Sequence, residues 1–160
     1  MLNTLKELCL LDGVSGREHP VREYIVSKLQ GIDYIDEMRT DALGNLLVHL
    51  KGKQAASKTL MIAAHMDEVG VIVTYITSDG MLKFSPVGGI DTKVLLARQI
   101  VFDNGTVGVV GIKPIHLSKG DEKTKIPDAD SLYIDIGADS KEEAEKYIKI
   151  CRKISVTIPY

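Results

Sequence analysis

The sequence predicts an α/β piece followed by a small β-barrel-like domain, with the change of architecture near residue 68. Three observations carry this. The first 50 residues read as two helices and then strands that can share a sheet with the helices packed on it, an α/β pattern. Leu60-Met-Ile-Ala-Ala64 is a continuous apolar run, the pattern of a strand buried on both faces. Beyond it, short strands separated by Ser78-Asp-Gly80 and Asp103-Asn-Gly105 mark hairpins at close spacing, the pattern of a small barrel. The expected domains are therefore 1–68, α/β, and 69–160, barrel-like.

The elements follow in order. Asn3 or Thr4 can cap a short helix through Leu11, with Leu5, Leu8 and Cys9 on one face and Gly13 as the stop. Ser15 and Glu18 have the spacing of a capping box for a second helix over about 20–29, which carries Val21, Tyr24, Ile25 and Leu29. Ile32 to Thr40 reads as a strand, Asp41 to Asn45 as a turn, and Leu46 to Leu50 as the returning strand. After a polar loop comes the run from Leu60. Val69–Thr77, Met81–Val87, Val94–Phe102, Thr106–Lys113 and Leu132–Ile136 read as strands, with Gly108 and Gly111 suggesting bulges. Lys119–Asp130 reads as a polar loop. Ser140 and Glu143 form a second capping box, opening a helix to about Ile150.

The chain has 160 residues, enough for one domain or two small ones. A net charge of −2 gives no reason to expect nucleic acid or an anionic membrane as a partner. No apolar run is long enough for a membrane-spanning helix, and the N-terminus lacks the basic and apolar regions of a signal peptide. Cys9 and Cys151 fit neither a disulfide framework nor a metal knuckle, so a cytoplasmic location is expected.

The apolar run at 60–64 stops on His65, Asp67 and Glu68. Polar residues at the C-terminal end of a buried strand are where open α/β sheets place ligand sites. His65 and Asp67 would share a side of a continuing strand, and a carboxylate there can hold an imidazole in the tautomer that a metal needs. The same residues also fit a strand end that turns polar as it meets water. His19, at the first turn of the second helix, is expected to be solvated. His49 is expected to be a satisfied or edge histidine.

Six blocks in order resemble a known family. They are Gly13-Val-Ser-Gly-Arg-Glu18, Asp41-Ala-Leu-Gly-Asn45, Ala64-His-Met-Asp-Glu-Val-Gly70, Pro86-Val-Gly-Gly-Ile-Asp91, Lys113-Pro-Ile-His-Leu117 and Tyr133-Ile-Asp-Ile-Gly-Ala138. Over about residues 5–150 the chain resembles the N-terminal portion of the dinuclear-metal aminopeptidases of metallopeptidase family forty-two. These are the TET-type, glutamyl or deblocking aminopeptidases, often labelled cellulase or endoglucanase. The resemblance implies a zinc-peptidase-like mixed sheet with an inserted domain that mediates dimer contacts in a larger homo-oligomer. It implies removal of N-terminal residues from peptides with two divalent ions, zinc or cobalt, and a glutamate that takes and returns the proton.

Within it, His65 matches the first metal ligand and Asp67 the carboxylate that orients that histidine and supports catalysis. The family's remaining ligands and its catalytic glutamate lie beyond the inserted domain, past the last residue here. The chain alone is therefore expected to be inactive, and an assembly or dimerisation module is the alternative reading. Residues 151–160 look foreign to the family pattern, and a frameshift just after Ile150 is expected to account for them. Exposed apolar surface, oligomerisation or a disordered N-terminal piece should follow. Asp91 and Asp135 are expected to end strands and turns, and His116 to sit on the inserted domain without a ligand role. A glycosidase would need a carboxylate pair, usually beside aromatic platforms, and the chain has no tryptophan.

Overall fold

A computed structural model describes residues 1–54, 57–112, 128–151 and 153–155. The chain divides into two compact units, Met1–Asp67 and Glu68–Tyr160. The fold is mixed α/β with few helices.

The first unit holds two helices and one hairpin. α1 spans Leu2–Cys9 and α2 spans His19–Leu29. The helices are joined through side chains: the Tyr24 hydroxyl donates to Glu7, and Lys28 Nζ lies 3.0 Å from the same carboxylate. β1 (Ile35–Thr40) pairs antiparallel with β2 (Leu46–Leu50). The turn between them is built by Asp41, whose Oδ1 accepts from the backbone N–H of Leu43 and of Asn45, both at 2.9 Å. Gly44 takes φ +89°, a conformation that glycine adopts without a Cβ penalty.

Beside the hairpin, Asp36 accepts from Lys51 at 2.8 Å and lies 3.2 Å from His49 Nδ1. His49 is thus an edge histidine with a partner. Lys51 and then His49 hold the Asp36 carboxyl below its ordinary range, and Asn45 does the same for Asp41. A carboxyl whose folded pKa is depressed adds stability above the ordinary value of about 4, and that stability is lost as pH falls through the lowered value. The first unit is therefore expected to unfold at lower urea as pH drops from about 5 to about 3. The double variant Asp36→Asn/Asp41→Asn should flatten that dependence, read from urea midpoints across the range.

Leu60–Ala64 corrects the sequence reading. The segment forms no strand, and Leu60, Met61 and Ile62 are 85%, 84% and 87% exposed. The sole sheet described in this unit is the two-stranded β1–β2 hairpin. A run suited to burial on both faces thus lacks the neighbouring strands that would cover it. Val14 and Val21 are the buried apolar side chains described in this unit, so the expected exposure of apolar surface is present.

The second unit is built on a six-stranded antiparallel sheet of order β5-β6-β7-β4-β3-β8. Its strands are β3 (Gly70–Ile76), β4 (Leu82–Val87), β5 (Gln99–Val101), β6 (Val107–Ile112), β7 (Leu132–Asp135) and β8 (Lys153–Ser155). The two ends of this order, β5 and β8, approach each other, so the sheet is curled. Alternation places Val71 and Val73 of β3 inside. A register shift between Val73 and Tyr75 then turns Ile76 inward and leaves Tyr75 exposed. Leu82, Phe84, Ile100, Val110, Leu132 and Ile134 complete the strand contribution to the core, and Phe102, just past the end of β5, packs with them.

Both hairpin turns form where their residues predict. Thr77 N–H donates to Met81 O around Ser78–Gly80, and Phe102 N–H donates to Thr106 O around Asp103–Gly105. The strand expected over 94–102 is different: Thr92–Leu95 is a helical turn, α3, and the strand begins at Gln99. Asp91 Oδ1 accepts from Lys93 N–H at 3.0 Å and caps that turn, which buries Leu95. Gly108 and Gly111 make no bulge, since β6 pairs in continuous register on both sides. They make room instead: a Cβ at Gly108 would lie 2.5 Å from Ile134 Cγ2, and one at Gly111 would lie 2.6 Å from the Tyr133 ring.

α4 spans Lys141–Tyr147 and brings Ala144 to the core, with Ile148 just beyond its end. Ser140 Oγ accepts from Glu143 N–H at 3.2 Å, while Glu143 accepts from Asp139 N–H, one residue before the box predicts. No helix among the described residues is long and apolar enough to cross a membrane.

Candidate functional site

The site lies in the first unit, where the loop after α1 meets the segment 65–67. Gly13 sits so close that a Cβ would lie 3.3 Å from the Met66 carbonyl oxygen and 2.7 Å from Val21 Cγ2. Val14 is buried, and Arg17 N–H closes a turn on Val14 O at 2.8 Å. Gly16 takes φ +81° within that turn, and its N–H donates to Glu18 Oε1.

This overturns the capping box predicted for Ser15 and Glu18. The α2 N-cap is Glu18, without a side-chain cap bond, and Pro20 occupies the first turn. Ser15 instead donates its hydroxyl across 52 residues of sequence to Asp67 Oδ2, at 2.5 Å. The signal was available. Proline favours the first helical turn, which places the cap within a residue or two before Pro20 rather than at Ser15.

Asp67 in turn faces His65. His65 Nδ1 lies 3.0 Å from Asp67 Oδ1 and 2.9 Å from the Asp67 carbonyl oxygen. Both partners are acceptors, so Nδ1 carries the proton, and in the neutral ring the lone pair resides on Nε2. The His65 side chain is 84% exposed and that of Asp67 38%. The Ser15 hydroxyl, and after it the His65 ring, hold the Asp67 carboxyl below its ordinary range, while partial burial works the other way. The carboxylate is the species that both neighbours favour.

The chemistry of this set is a presented imidazole: one nitrogen fixed by a carboxylate, the other open toward solvent. That is how metal-ligating histidines are held. Such a set could supply one ligand to a divalent metal ion. A catalytic zinc site takes about three protein ligands, and among the described residues no group of three or more His, Cys, Asp or Glu could hold a metal.

The other sequence candidates fall elsewhere. His19 opens α2 and is exposed. Asp135 ends β7, accepting from Gly137 N–H at 2.8 Å. His116, with its block 113–117 and the loop that follows it to residue 127, lies outside the described residues. Cys9 and Cys151 are exposed free thiols.

A mixed α/β chain with a histidine-x-aspartate pair beside a Gly-x-Ser loop thus defines the class. Residues 44–159 match the M42 glutamyl aminopeptidase family, and the chain belongs to that family of peptide-bond hydrolases. The match takes in nearly all of the tail expected to look foreign, within which Lys153–Ser155 form β8 beside β3.

The chain is 41% identical over 148 residues to lysyl aminopeptidase of Pyrococcus furiosus, covering 89% of this chain and 41% of that protein. It resembles the crystal structure of a TET aminopeptidase from a marine sediment thaumarchaeote with a TM-score of 0.85 and 34% identity, over 97% of this chain and 44% of the other. It also resembles the Pyrococcus horikoshii TET1 peptidase, described as assembling into a tetrahedron or a large octahedral shell. There the TM-score is 0.79 and the identity 36%, over 98% of this chain and 46% of the other. The chain thus spans less than half the length of these relatives.

Proposed function

We propose that this chain carries the first metal ligand, and the carboxylate that holds it, of a metal-dependent aminopeptidase that releases N-terminal residues from peptides. The single observation behind this reading is the His65–Asp67 contact, which leaves Nε2 open in a chain of this family. His65 would take zinc or cobalt through Nε2, and Asp67 would fix the ring and its tautomer. Two such ions, as the family resemblance implies, would supply Lewis-acid polarisation of the scissile carbonyl. The first unit would be the N-terminal part of the catalytic domain. The second would be an inserted barrel-like domain that mediates contacts between copies; its curled sheet and the assembly of the TET1 relative support this. A cytoplasmic location accords with two exposed free thiols.

The alternative is an assembly module without catalysis, and the shared fold with a shell-forming relative favours giving it a test. The test is hydrolysis of a panel of aminoacyl p-nitroanilides by the purified chain with zinc or cobalt, beside cobalt titration of the wild type and His65→Ala. Cobalt binding lost in His65→Ala supports the ligand assignment; binding unchanged by that substitution overturns it. Turnover that needs both metal and His65 would assign a working site to this chain, as could form between subunits. A folded chain that self-associates and shows no turnover assigns the assembly role.

A further inference from the structure

We propose that Ser15 is the positioning residue of this site, and that loop 13–18 acts as a clamp presenting Nε2 of His65 through Asp67. This rests on the reading of His65 as a metal ligand. Two separate contacts fasten the loop to the segment 65–67. The backbone at Gly13 approaches the Met66 carbonyl so closely that even a methyl group would crowd it. One turn on, the Ser15 hydroxyl donates to Asp67 Oδ2. Met66 stands between the two functional residues, so the clamp grips the pair at its middle and at its carboxylate.

The geometry gives the two Asp67 oxygens different side-chain partners. Oδ1 accepts from His65 Nδ1–H and Oδ2 accepts from Ser15. A carboxylate held at one oxygen alone can rotate about its Cβ–Cγ bond, because that torsion is broad. Held at both, its plane is set and the imidazole in front of it keeps one orientation. The clamp is itself rigid: the Val14 side chain is buried, Arg17 N–H bonds to Val14 O, and Glu18 accepts from Gly16 N–H. This gives the Gly13–Glu18 block a purpose that capping α2 does not, since the α2 cap makes no side-chain bond.

The test has a readout in the metal-free protein. Long-range proton–nitrogen correlation spectra of the labelled chain, with His65→Ala to assign the ring, report which nitrogen carries the proton. Wild type should show the Nδ1–H form, Ser15→Ala a mixture of both tautomers, and Ser15→Thr, which keeps the hydroxyl, the wild-type pattern. Cobalt affinity should fall about tenfold in Ser15→Ala, the lower end for an outer partner of a metal-ligating histidine, and recover in Ser15→Thr. Ser15→Cys, with its weaker donor, replaces the alanine variant if that variant loses the native amide spectrum.

A folded Ser15→Ala protein with the wild-type tautomer and unchanged cobalt affinity overturns the clamp, as does a Ser15→Thr protein that behaves like alanine. Should the wild type bind no cobalt at His65, the ligand reading falls, and the tautomer spectra alone decide whether Ser15 positions the ring.

Discussion

The Phe102→Ala variant is expected to lose about 3–5 kcal/mol of the stability of the second unit, the cost typical of emptying a buried aromatic site. Phe102 is 2% exposed and packs in the cluster that includes Ile100, Val110, Leu132 and Ile134. It also sits at the mouth of a hairpin, where its backbone N–H meets Thr106 O and its carbonyl accepts from Gly105 N–H. Those bonds are backbone bonds and survive the substitution, so the loss reports packing. A domain of this size is commonly stable by about 5–15 kcal/mol, which makes the expected loss a large share of the whole. Urea unfolding followed by far-ultraviolet circular dichroism reads it as a lowered midpoint. Phe102→Leu should retain most of the stability. An unfolding free energy for the alanine variant within about 0.5 kcal/mol of wild type, the size seen for surface changes, would remove Phe102 from the cooperative core.

The second large effect belongs to Asp67. Asp67→Ala is expected to weaken cobalt binding by about 10–100-fold, the range seen when the carboxylate behind a metal-ligating histidine is removed. After the substitution the His65 Nδ1–H keeps only the residue 67 carbonyl oxygen as a partner, and the Ser15 hydroxyl loses its acceptor. Asp67→Asn separates geometry from charge. Its amide oxygen can still accept from Nδ1–H and its amide nitrogen can still face the Ser15 hydroxyl, but the negative charge is gone. An affinity between those of the wild type and the alanine variant is expected from titration. An asparagine variant as weak as alanine would place the whole effect in the charge; one equal to wild type would place it in orientation.

How much was legible follows the range of each interaction. Ser78–Gly80 and Asp103–Gly105 declared their turns because turn chemistry is local. His65 and Asp67 stood out as polar residues at the end of an apolar run, two apart, and the structure does bring them into contact. Ser15 was misread for the opposite reason. Its bond spans 52 positions, while the S-x-x-E spacing offered a plausible partner three residues away. The run 60–64 reads as a buried strand because composition records what a segment could bury, not whether neighbours are present to cover it. Asp91 ended a strand on paper and caps a helical turn in the fold, which shortened the expected strand over 94–102 to three residues. Gly108 and Gly111 suggested bulges, yet what they serve is the close approach of Ile134 and Tyr133 from the neighbouring strand, which no local pattern encodes.

The pairing of β3 with β8 sets a timetable for folding during synthesis. β3 and β4 are joined by a tight turn and can pair as soon as both have emerged, but the other edge of β3 receives its partner only when Lys153–Ser155 arrive. At about 5–20 residues per second, the stretch from Ile76 to Ser155 takes roughly 4 to 16 s to make. For that interval half of the hydrogen-bonding groups of β3 face an open edge, the form of strand most ready to add a foreign one. The free edge of β3 is thus closed by a strand made long after the hairpin on its other side.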